Sequence, residues 1–460
     1  MLFTNLTRRI EIGANCYALQ FAGGKTVVLD SGMHPKQEGE QALPDFARLA
    51  DDSVDAIVLS HSHHDHVGTL PLLMRRHPRA PVFMTEPTRL LSGVMLHNSV
   101  NVMCRQREDA GIMHYPLFTH REVDNVEKRW RGCPLHQRFN LEGERVNGRT
   151  YDDEITLEFF DAGHVLGAAG TLIRAEKQTI FYTGDVNFDD QSLSRGARFP
   201  EEGIDTLIIE TTRGDHETPA GFSRKKEEQR LAATIRAAFA RGGAVVMPLF
   251  ALGKTQELLA MLHGFMQRGE LPLVPIYIGG LSAKLTELYD KLAHSAPRLR
   301  PDLHLMSHVA PFVLAVREAG DAPFKPSRIY ALSSGMMTEK TLSNFFARRV
   351  LSSPTESLFF VGYADPESPA GRIRSASQGD EITLDKDFPP QVLRCAVEQF
   401  NFSGHASRES LRAYANKLAP KTIVLVHGDE PAVEWFRKTL AADLPGSRIL
   451  TPIPGEPVEI

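Results

Sequence analysis

Ser60-His61-Ser62-His63-His64-Asp65-His66-Val67-Gly68 is the stretch on which the reading of this chain turns. It follows Val54-Asp55-Ala56-Ile57-Val58-Leu59 directly. An apolar run that ends in a polar cluster reads as a buried strand delivering a loop to the carboxyl edge of a sheet. On an extended loop, residues two apart point the same way, so His61 and His63 can grip one ion together. Asp65 and His66 lie past the turn and can grip a second. Imidazole and carboxylate without thiolate suit zinc in a site that keeps a position open for water. The competing view is a histidine-rich surface loop. Ligand-type residues this dense, placed directly after a buried strand, weigh against it.

Working outward, short strands dominate up to about Glu210. They read as Val27-Val28-Leu29-Asp30, Ala56 to Ser60, Val82-Phe83-Met84, Thr156 to Phe160, Thr171-Leu172-Ile173, Ile180-Phe181-Tyr182 and Leu207-Ile208-Ile209. A helix is expected from His66 to about Arg76. The stretch from His97 to Arg149 reads as helical, then irregular, and its histidines (His97, His114, His120, His136) as solvated or capping side chains. From about Phe222 helices and strands alternate: helix Glu227 to Arg241, strand Ala244 to Leu249, helix Lys254 to Gln267, strand Pro275 to Ile278, a helix from Ser282, strand Arg328 to Leu332. That alternation implies parallel βαβ units. Strand-turn-helix texture returns near Gln391, and Thr422 to Val426 reads as a buried strand ending in His427-Gly428.

A chain of 460 residues exceeds one core, so two or three domains are expected. Hydrophobic content of 42% and charged content of 24% are those of an ordinary globular protein. With a net charge of −5, bulk electrostatics cannot hold a polyanion, which must instead meet a local basic groove or a metal. Cys16, Cys104, Cys133 and Cys395 have no paired spacing and suggest a reducing cytosol. The start, Met1 to Arg9, does not read as a signal peptide, and no apolar run approaches a membrane span. A cytoplasmic location and no membrane partner are expected.

Further ligand candidates sit at other strand ends. His164 lies in Asp161-Ala162-Gly163-His164, Asp185 in Tyr182-Thr183-Gly184-Asp185, and His427 ends the last strong strand. Each is weak alone, because an aspartate after a strand often only makes a turn. Together they occupy the same kind of position as the first cluster.

With these residues in hand, the chain resembles the metallo-β-lactamase fold. Asp30, the His61/His63/Asp65/His66 run, His164 and Asp185 match its first four motifs. The remainder is similar to the β-CASP branch, which contains RNA- and DNA-processing nucleases. Glu210 in Glu210-Thr211-Thr212-Arg213-Gly214-Asp215 matches motif A, His405 in Phe402-Ser403-Gly404-His405-Ala406 motif B, and His427 motif C. The stretches Pro248 to Glu257 and Ser333-Ser334-Gly335-Met336-Met337 also resemble β-CASP segments. The resemblance implies an α/β protein, an αββα metallo-β-lactamase sandwich with an inserted β-CASP α/β domain of mainly parallel sheet. Its boundaries would be residues 1–210, 211–385 and 386–460. It implies two zinc ions per chain, one on His61, His63 and His164, the other on Asp65, His66 and His427, with Asp185 bridging. Asp30 would hydrogen-bond a ligating histidine.

The resemblance further implies a zinc-dependent ribonuclease that hydrolyses phosphodiester bonds of single-stranded RNA, as an endonuclease with room for exonuclease activity. His405, oriented by Glu210, would be the general acid, against the plainer role of a loop residue before the helix Arg408 to Leu418, for which Ser407 is the better cap. Ser333, Ser334, Lys254 and Arg372 would meet substrate phosphates, though each could equally be a cap or a solvated side chain. In the family, motif C tends to be histidine in RNA-processing members and valine in DNA-processing ones. Two departures stand out: Arg213 replaces the usual aromatic, and the segment Val361 to Arg372 differs in its middle. The chain resembles the minimal catalytic form, and a homodimer is left open. The alternatives are a DNA-processing nuclease of the same fold, a small-molecule ester or lactone hydrolase, and a silent scaffold. Intact ligand positions count against the scaffold, and the inserted domain counts against the small-molecule enzyme.

Overall fold

Long runs of Val, Ile, Leu and Phe set the strands, and where those runs are unbroken the strand is covered on both faces. The computed structural model describes residues 1–148, 154–315 and 324–460. The end of the stretch read from His97 to Arg149 lies outside the described residues. The chain divides into two compact units, one formed by Met1–Asp189, Gly196–Thr218 and His405–Ile460, the other by Asp190–Arg195 and Pro219–Gly404.

Two seven-stranded sheets build the first unit. The first runs in the order Pro457–Glu459, Leu2–Asn5, Tyr17–Gln20, Thr26–Leu29, Ala56–Val58, Val82–Thr85, Trp130–Cys133. Its pairings are antiparallel as far as Thr26–Leu29 and parallel beyond. The second runs Arg448–Leu450, Thr422–Val426, Thr206–Glu210, Gln178–Tyr182, Ala169–Ala175, Thr156–Asp161, Phe139–Asn140. Here the parallel pairs come first and the antiparallel ones follow.

Side chains alternate across these strands with the pleat. Val27, Leu29, Ala56 and Val58 meet Ile173, Ile180, Ile208, Val424 and Val426 in a core between the two sheets. Val28 and Ile57 face the other way, onto Leu70, Leu73 and Met74 of the helix Leu70–Arg76 and Leu96, Val100 and Met103 of the helix Glu86–Ala110. On the far side, Leu207, Ile209, Ile423 and Leu425 pack on Leu411 and Ala415 of the helix Arg408–Leu418 and Phe436 and Leu440 of the helix Glu430–Asp443. The layers are therefore helix, sheet, sheet, helix.

The second unit carries a six-stranded sheet, in the order Phe312–Leu314, Ile276–Gly279, Ile329–Leu332, Val245–Pro248, Ser357–Phe360, Ala396–Gln399, every pairing of which is parallel. A two-stranded antiparallel ladder joins Glu381–Ile382 to Gln391–Val392. Taken over the whole chain the sheets are mixed rather than mainly parallel. The helices Arg224–Ala240, Lys254–Gln267 and Gly280–Lys291 fall where the alternation placed them. This unit continues to Gly404 rather than ending near 386, because Ala396–Gln399 pairs with Ser357–Phe360. One local expectation changes as well. The helix expected from His66 to Arg76 is two pieces, His64–Val67 and Leu70–Arg76, so Asp65 and His66 ride on a helical turn.

Candidate metal centre

The carboxyl ends of six strands of the first unit supply most of the candidate residues. Asp30 follows Thr26–Leu29, His61 and His63 follow Ala56–Val58, and His164 follows Thr156–Asp161. Asp185 follows Gln178–Tyr182, Glu210 closes Thr206–Glu210, and His427 follows Thr422–Val426. His405 stands just before the helix Arg408–Leu418, whose cap is Ser407, accepting from the Ser410 N–H.

Backbone bonds hold the metal-binding loop in place. Ser31 N donates to His66 O (2.8 Å), Met33 N to His64 O (2.9 Å) and Asn15 N to Asp65 O (3.0 Å). A Cβ at Gly32 would lie 1.7 Å from the Asp65 carbonyl oxygen, so only glycine fits beneath the loop.

The donor atoms converge in overlapping groups, His61/His63/His164/Asp185, Asp65/His66/His427 and Asp185/Glu210/His405, each within 4.8 Å. His63 Nδ1 is 3.0 Å from both His61 Nε2 and His164 Nε2. Asp185 stands between the first two groups. Its Oδ2 lies 3.5 Å from His61 Nε2 and 3.7 Å from His164 Nε2. Its Oδ1 lies 3.3 Å from His66 Nε2 and 3.5 Å from His427 Nδ1. Asp65 Oδ2 is 3.4 Å from His427 Nε2 and 3.8 Å from His66 Nε2.

Asp185 Oδ1 is buried and makes no hydrogen bond of good geometry among the described residues. Such an atom is costly unless something positive meets it. Three imidazole nitrogens crowded at 3.0 Å have the same need, since neutral rings offer one donor and one acceptor each. Both features fit metal cations, and the oxygen and imidazole donor set fits zinc.

Electrostatics agree with the geometry. Burial and the His66 ring push the His61 imidazole well below its ordinary range. Burial would lower His66 too, but the carboxylates of Asp185, Asp30 and Asp65 carry it well above. Burial alone would raise Asp185, yet His427, His66 and His405 hold it well below the usual carboxylate range. His405 Nδ1 lies 3.2 Å from both oxygens of Glu210, and Nε2 lies 3.9 Å from Asp185 Oδ2. Its pKa is raised because Glu210 and Asp185 outweigh burial. Glu210 is itself fixed by the Val186 N–H at 2.7 Å.

Asp30 hydrogen-bonds His66 Nδ1 through Oδ2 at 2.7 Å. Residues not singled out in the sequence surround it: Ser60, Tyr182 and, on the other side of His66, Asn15, whose Nδ2 lies 3.2 Å from His66 Nε2. Thr212 Oγ1 meets His427 Nδ1 at 2.7 Å. Ser60 and Tyr182 at least abut the motifs, whereas Asn15 carries no sequence signal. Ser333, Ser334, Lys254 and Arg372 belong to the second unit and are not part of these groups.

A β-sheet sandwich with His/Asp clusters at its strand ends is the architecture of a metallo-β-lactamase-type metal-binding protein. Comparison with family models agrees: residues 9–92 match the metallo-β-lactamase superfamily, 255–373 the Beta-Casp domain, and 391–452 the Zn-dependent metallo-hydrolase RNA specificity domain. The chain belongs to the β-CASP branch of the metallo-β-lactamase superfamily.

Among its relatives, subunit 3-I of the cleavage and polyadenylation specificity factor of Arabidopsis thaliana is 27% identical over 100% of this chain and 64% of that protein. Transcription termination factor FttA of Methanothermobacter thermautotrophicus is 30% identical, over 91% of this chain and 65% of its own length. Endoribonuclease ysh1 of Schizosaccharomyces pombe is 28% identical, over 96% and 56%. The chain thus spans less than two thirds of each of these proteins. A crystal structure of a protein of unknown function from Enterococcus faecalis V583 shares the fold, with a TM-score of 0.58, 14% identity and 99% of both chains covered.

Proposed function

We propose that this chain is a ribonuclease that holds two zinc ions and hydrolyses phosphodiester bonds of single-stranded RNA, leaving a 5′-phosphate and a 3′-hydroxyl. The observation that carries the reading is Asp185, a buried carboxylate with one oxygen facing each histidine group. His61, His63 and His164 would hold one zinc and Asp65, His66 and His427 the other, with Asp185 shared. Zinc bound there supplies Lewis acidity, activating water and drawing charge from phosphate oxygens. The chain's own part begins with Glu210, which fixes the His405 ring through Nδ1 and leaves Nε2 on the side of Asp185. From Nε2, His405 gives a proton to the leaving alkoxide oxygen. The buried walls of the site keep its carboxylates and imidazoles in fixed orientation.

Support for RNA comes from the match to an RNA specificity domain at 391–452, from relatives named as endoribonucleases, and from histidine at position 427. Endonucleolytic cleavage is the primary mode, with exonuclease activity on exposed ends. Lys254, Arg372, Ser333 and Ser334 supply phosphate contacts from the inserted domain. The described residues contain no helix long and apolar enough to cross a membrane. The free cysteines Cys16, Cys104, Cys133 and Cys395 favour the cytoplasm, where we place the enzyme as a monomer or homodimer.

The test uses end-labelled single-stranded RNA and a matched DNA at equal salt, with and without a zinc chelator. Chelator-sensitive cleavage of RNA in preference to DNA is expected. Robust cleavage of DNA with little on RNA overturns the substrate, and cleavage that survives complete zinc removal overturns the mechanism.

A further inference from the structure

Asp30 is fully buried and accepts four hydrogen bonds. Its Oδ1 accepts the Ser60 N–H at 2.7 Å. Its Oδ2 faces Ser60 Oγ at 2.7 Å, Tyr182 OH at 2.6 Å and His66 Nδ1 at 2.7 Å. Ser60, His61, His66 and Tyr182 are all 2% exposed or less, so no bulk water competes for these bonds.

The protons in this cluster can be followed one at a time. An ionised carboxylate only accepts, so the Ser60 hydroxyl, the Tyr182 hydroxyl and His66 Nδ1 must each donate to Asp30. With its proton spent on Asp30, Ser60 Oγ is left with lone pairs. His61 Nδ1 lies 3.1 Å from that oxygen and is the donor that fits. As neutral rings, the form a metal ligand takes, His61 and His66 then both carry their proton on Nδ1 and present a bare Nε2. Those are the nitrogens that face Asp185, His61 Nε2 towards Oδ2 and His66 Nε2 towards Oδ1.

We infer that the Ser60 hydroxyl is a positioning group shared by the two metal-ligating groups, fixing through one oxygen the ring proton of His61 and, through Asp30, that of His66. This rests on the two-zinc reading above. Tyr182 is the second hydroxyl of the arrangement and acts on Asp30 alone. Space around Ser60 explains why a small residue is used. A Cβ at Gly184, whose φ is +53°, would lie 2.6 Å from Ser60 Cβ, so this residue and its neighbour pack with nothing to spare. Removing only the hydroxyl therefore leaves the packing intact.

The experiment compares wild type, Ser60→Ala and Tyr182→Phe as full-length protein stripped of metal. Zinc is titrated in competition with a chromophoric chelator, and the thermal midpoint of each metal-free protein is recorded alongside. Outer partners of metal-bound histidines typically change affinity by ~10–100-fold. Ser60→Ala is expected to weaken both zinc equivalents on that scale. Tyr182→Phe should weaken one equivalent and leave the other at its wild-type value. In histidine-labelled, zinc-loaded protein, the slowly exchanging Nδ1 proton of His61 should be lost in Ser60→Ala and kept in Tyr182→Phe. Wild-type affinity for both equivalents in Ser60→Ala overturns the inference and leaves the two-zinc reading standing. So does a weakening accompanied by a collapsed metal-free midpoint in Ser60→Ala together with an unaltered Tyr182→Phe, which would mark a merely structural hydroxyl. Fewer than two equivalents in wild type overturns both.

Discussion

In the first unit the chemically useful side chains are aimed by a bond at one ring nitrogen; in the second, the candidate phosphate contacts are already engaged with nearby backbone. His66 is held by Asp30, His427 by Thr212 and His405 by Glu210, each through one ring nitrogen. By contrast, Arg372 donates to the carbonyls of Glu367 and Thr383, both at 3.0 Å. Ser334 Oγ accepts from the Thr338 N–H at 3.1 Å, and Lys254 Nζ donates to the Phe402 carbonyl. Metal chemistry demands fixed atoms, whereas phosphate binding tolerates donors with other duties. The comparison predicts a steep loss of activity for changes in the first region and shallow effects in the second.

The steepest loss is expected at Asp65. Asp65→Ala should leave the fold intact, bind about one zinc equivalent fewer, and lose activity by ~10³-fold or more, as several kcal/mol of metal-assisted stabilisation implies. Metal analysis and single-turnover cleavage check both parts. A fully active variant, or wild type with a single equivalent, would break the dinuclear side of the comparison.

His405→Ala comes next. It should keep both metals and cleave ~10²–10⁴-fold more slowly. A substrate with sulfur as the leaving atom needs less protonation, so it should recover most of that loss. Equal slowing on both substrates would reduce His405 to a structural residue.

His77 tests whether burial alone makes a histidine costly. It is 0% exposed, outside the metal groups, and neither ring nitrogen has a hydrogen-bond partner among the described residues. Burial, with Arg76 adding to it and Asp51 and Asp52 opposing, holds its pKa below the ordinary value. The folded form thus binds fewer protons than the unfolded chain below pH ~6.5. Stability from this residue is complete above that pH and fades as pH falls towards the depressed folded value. His77→Leu should therefore lose less of its thermal midpoint than wild type between pH 7.5 and pH 5. Parallel losses in the two proteins would mean that His77 takes up its proton alike in the folded and unfolded chain.

Much of this was readable from the chain because ligand residues stand at the ends of apolar runs, where a strand must stop and its loop must face outward. Thr422 to Val426 followed by His427 shows it plainly: the strand, its burial and the orientation of the next residue follow from five apolar or β-branched positions. The helix written across Gly68 did not survive, because the backbone of His64 and Asp65 is tied to Met33 and Asn15, contacts that no local pattern encodes. The extension of the second unit to Gly404 was hidden for a related reason. Ala396–Gln399 is at most partly buried and half polar, and it becomes a strand through its partner Ser357–Phe360. Ser60, Tyr182 and Asn15 escaped notice because a hydroxyl or an amide has many ordinary uses, and only three-dimensional neighbours make it particular.

Arg372 carries the smallest expected effect and the most direct test of the second region. Its guanidinium offers five N–H donors, of which the carbonyls of Glu367 and Thr383 take two, so a phosphate can still be met by the rest. The side chain is exposed, so losing those two bonds should cost little stability. Each phosphate neutralised on a single strand contributes a slope of about −0.7 to the dependence of log affinity on log salt. Arg372→Ala should therefore weaken binding of single-stranded RNA a few-fold at low salt and flatten that slope by ~0.7. The cleavage rate at saturating RNA should be unchanged. Binding is best followed with His405→Ala as the background, so that the RNA survives the titration. A slope that does not move, with binding equal to that of the parent, would assign Arg372 wholly to its carbonyls and confine phosphate recognition to other residues.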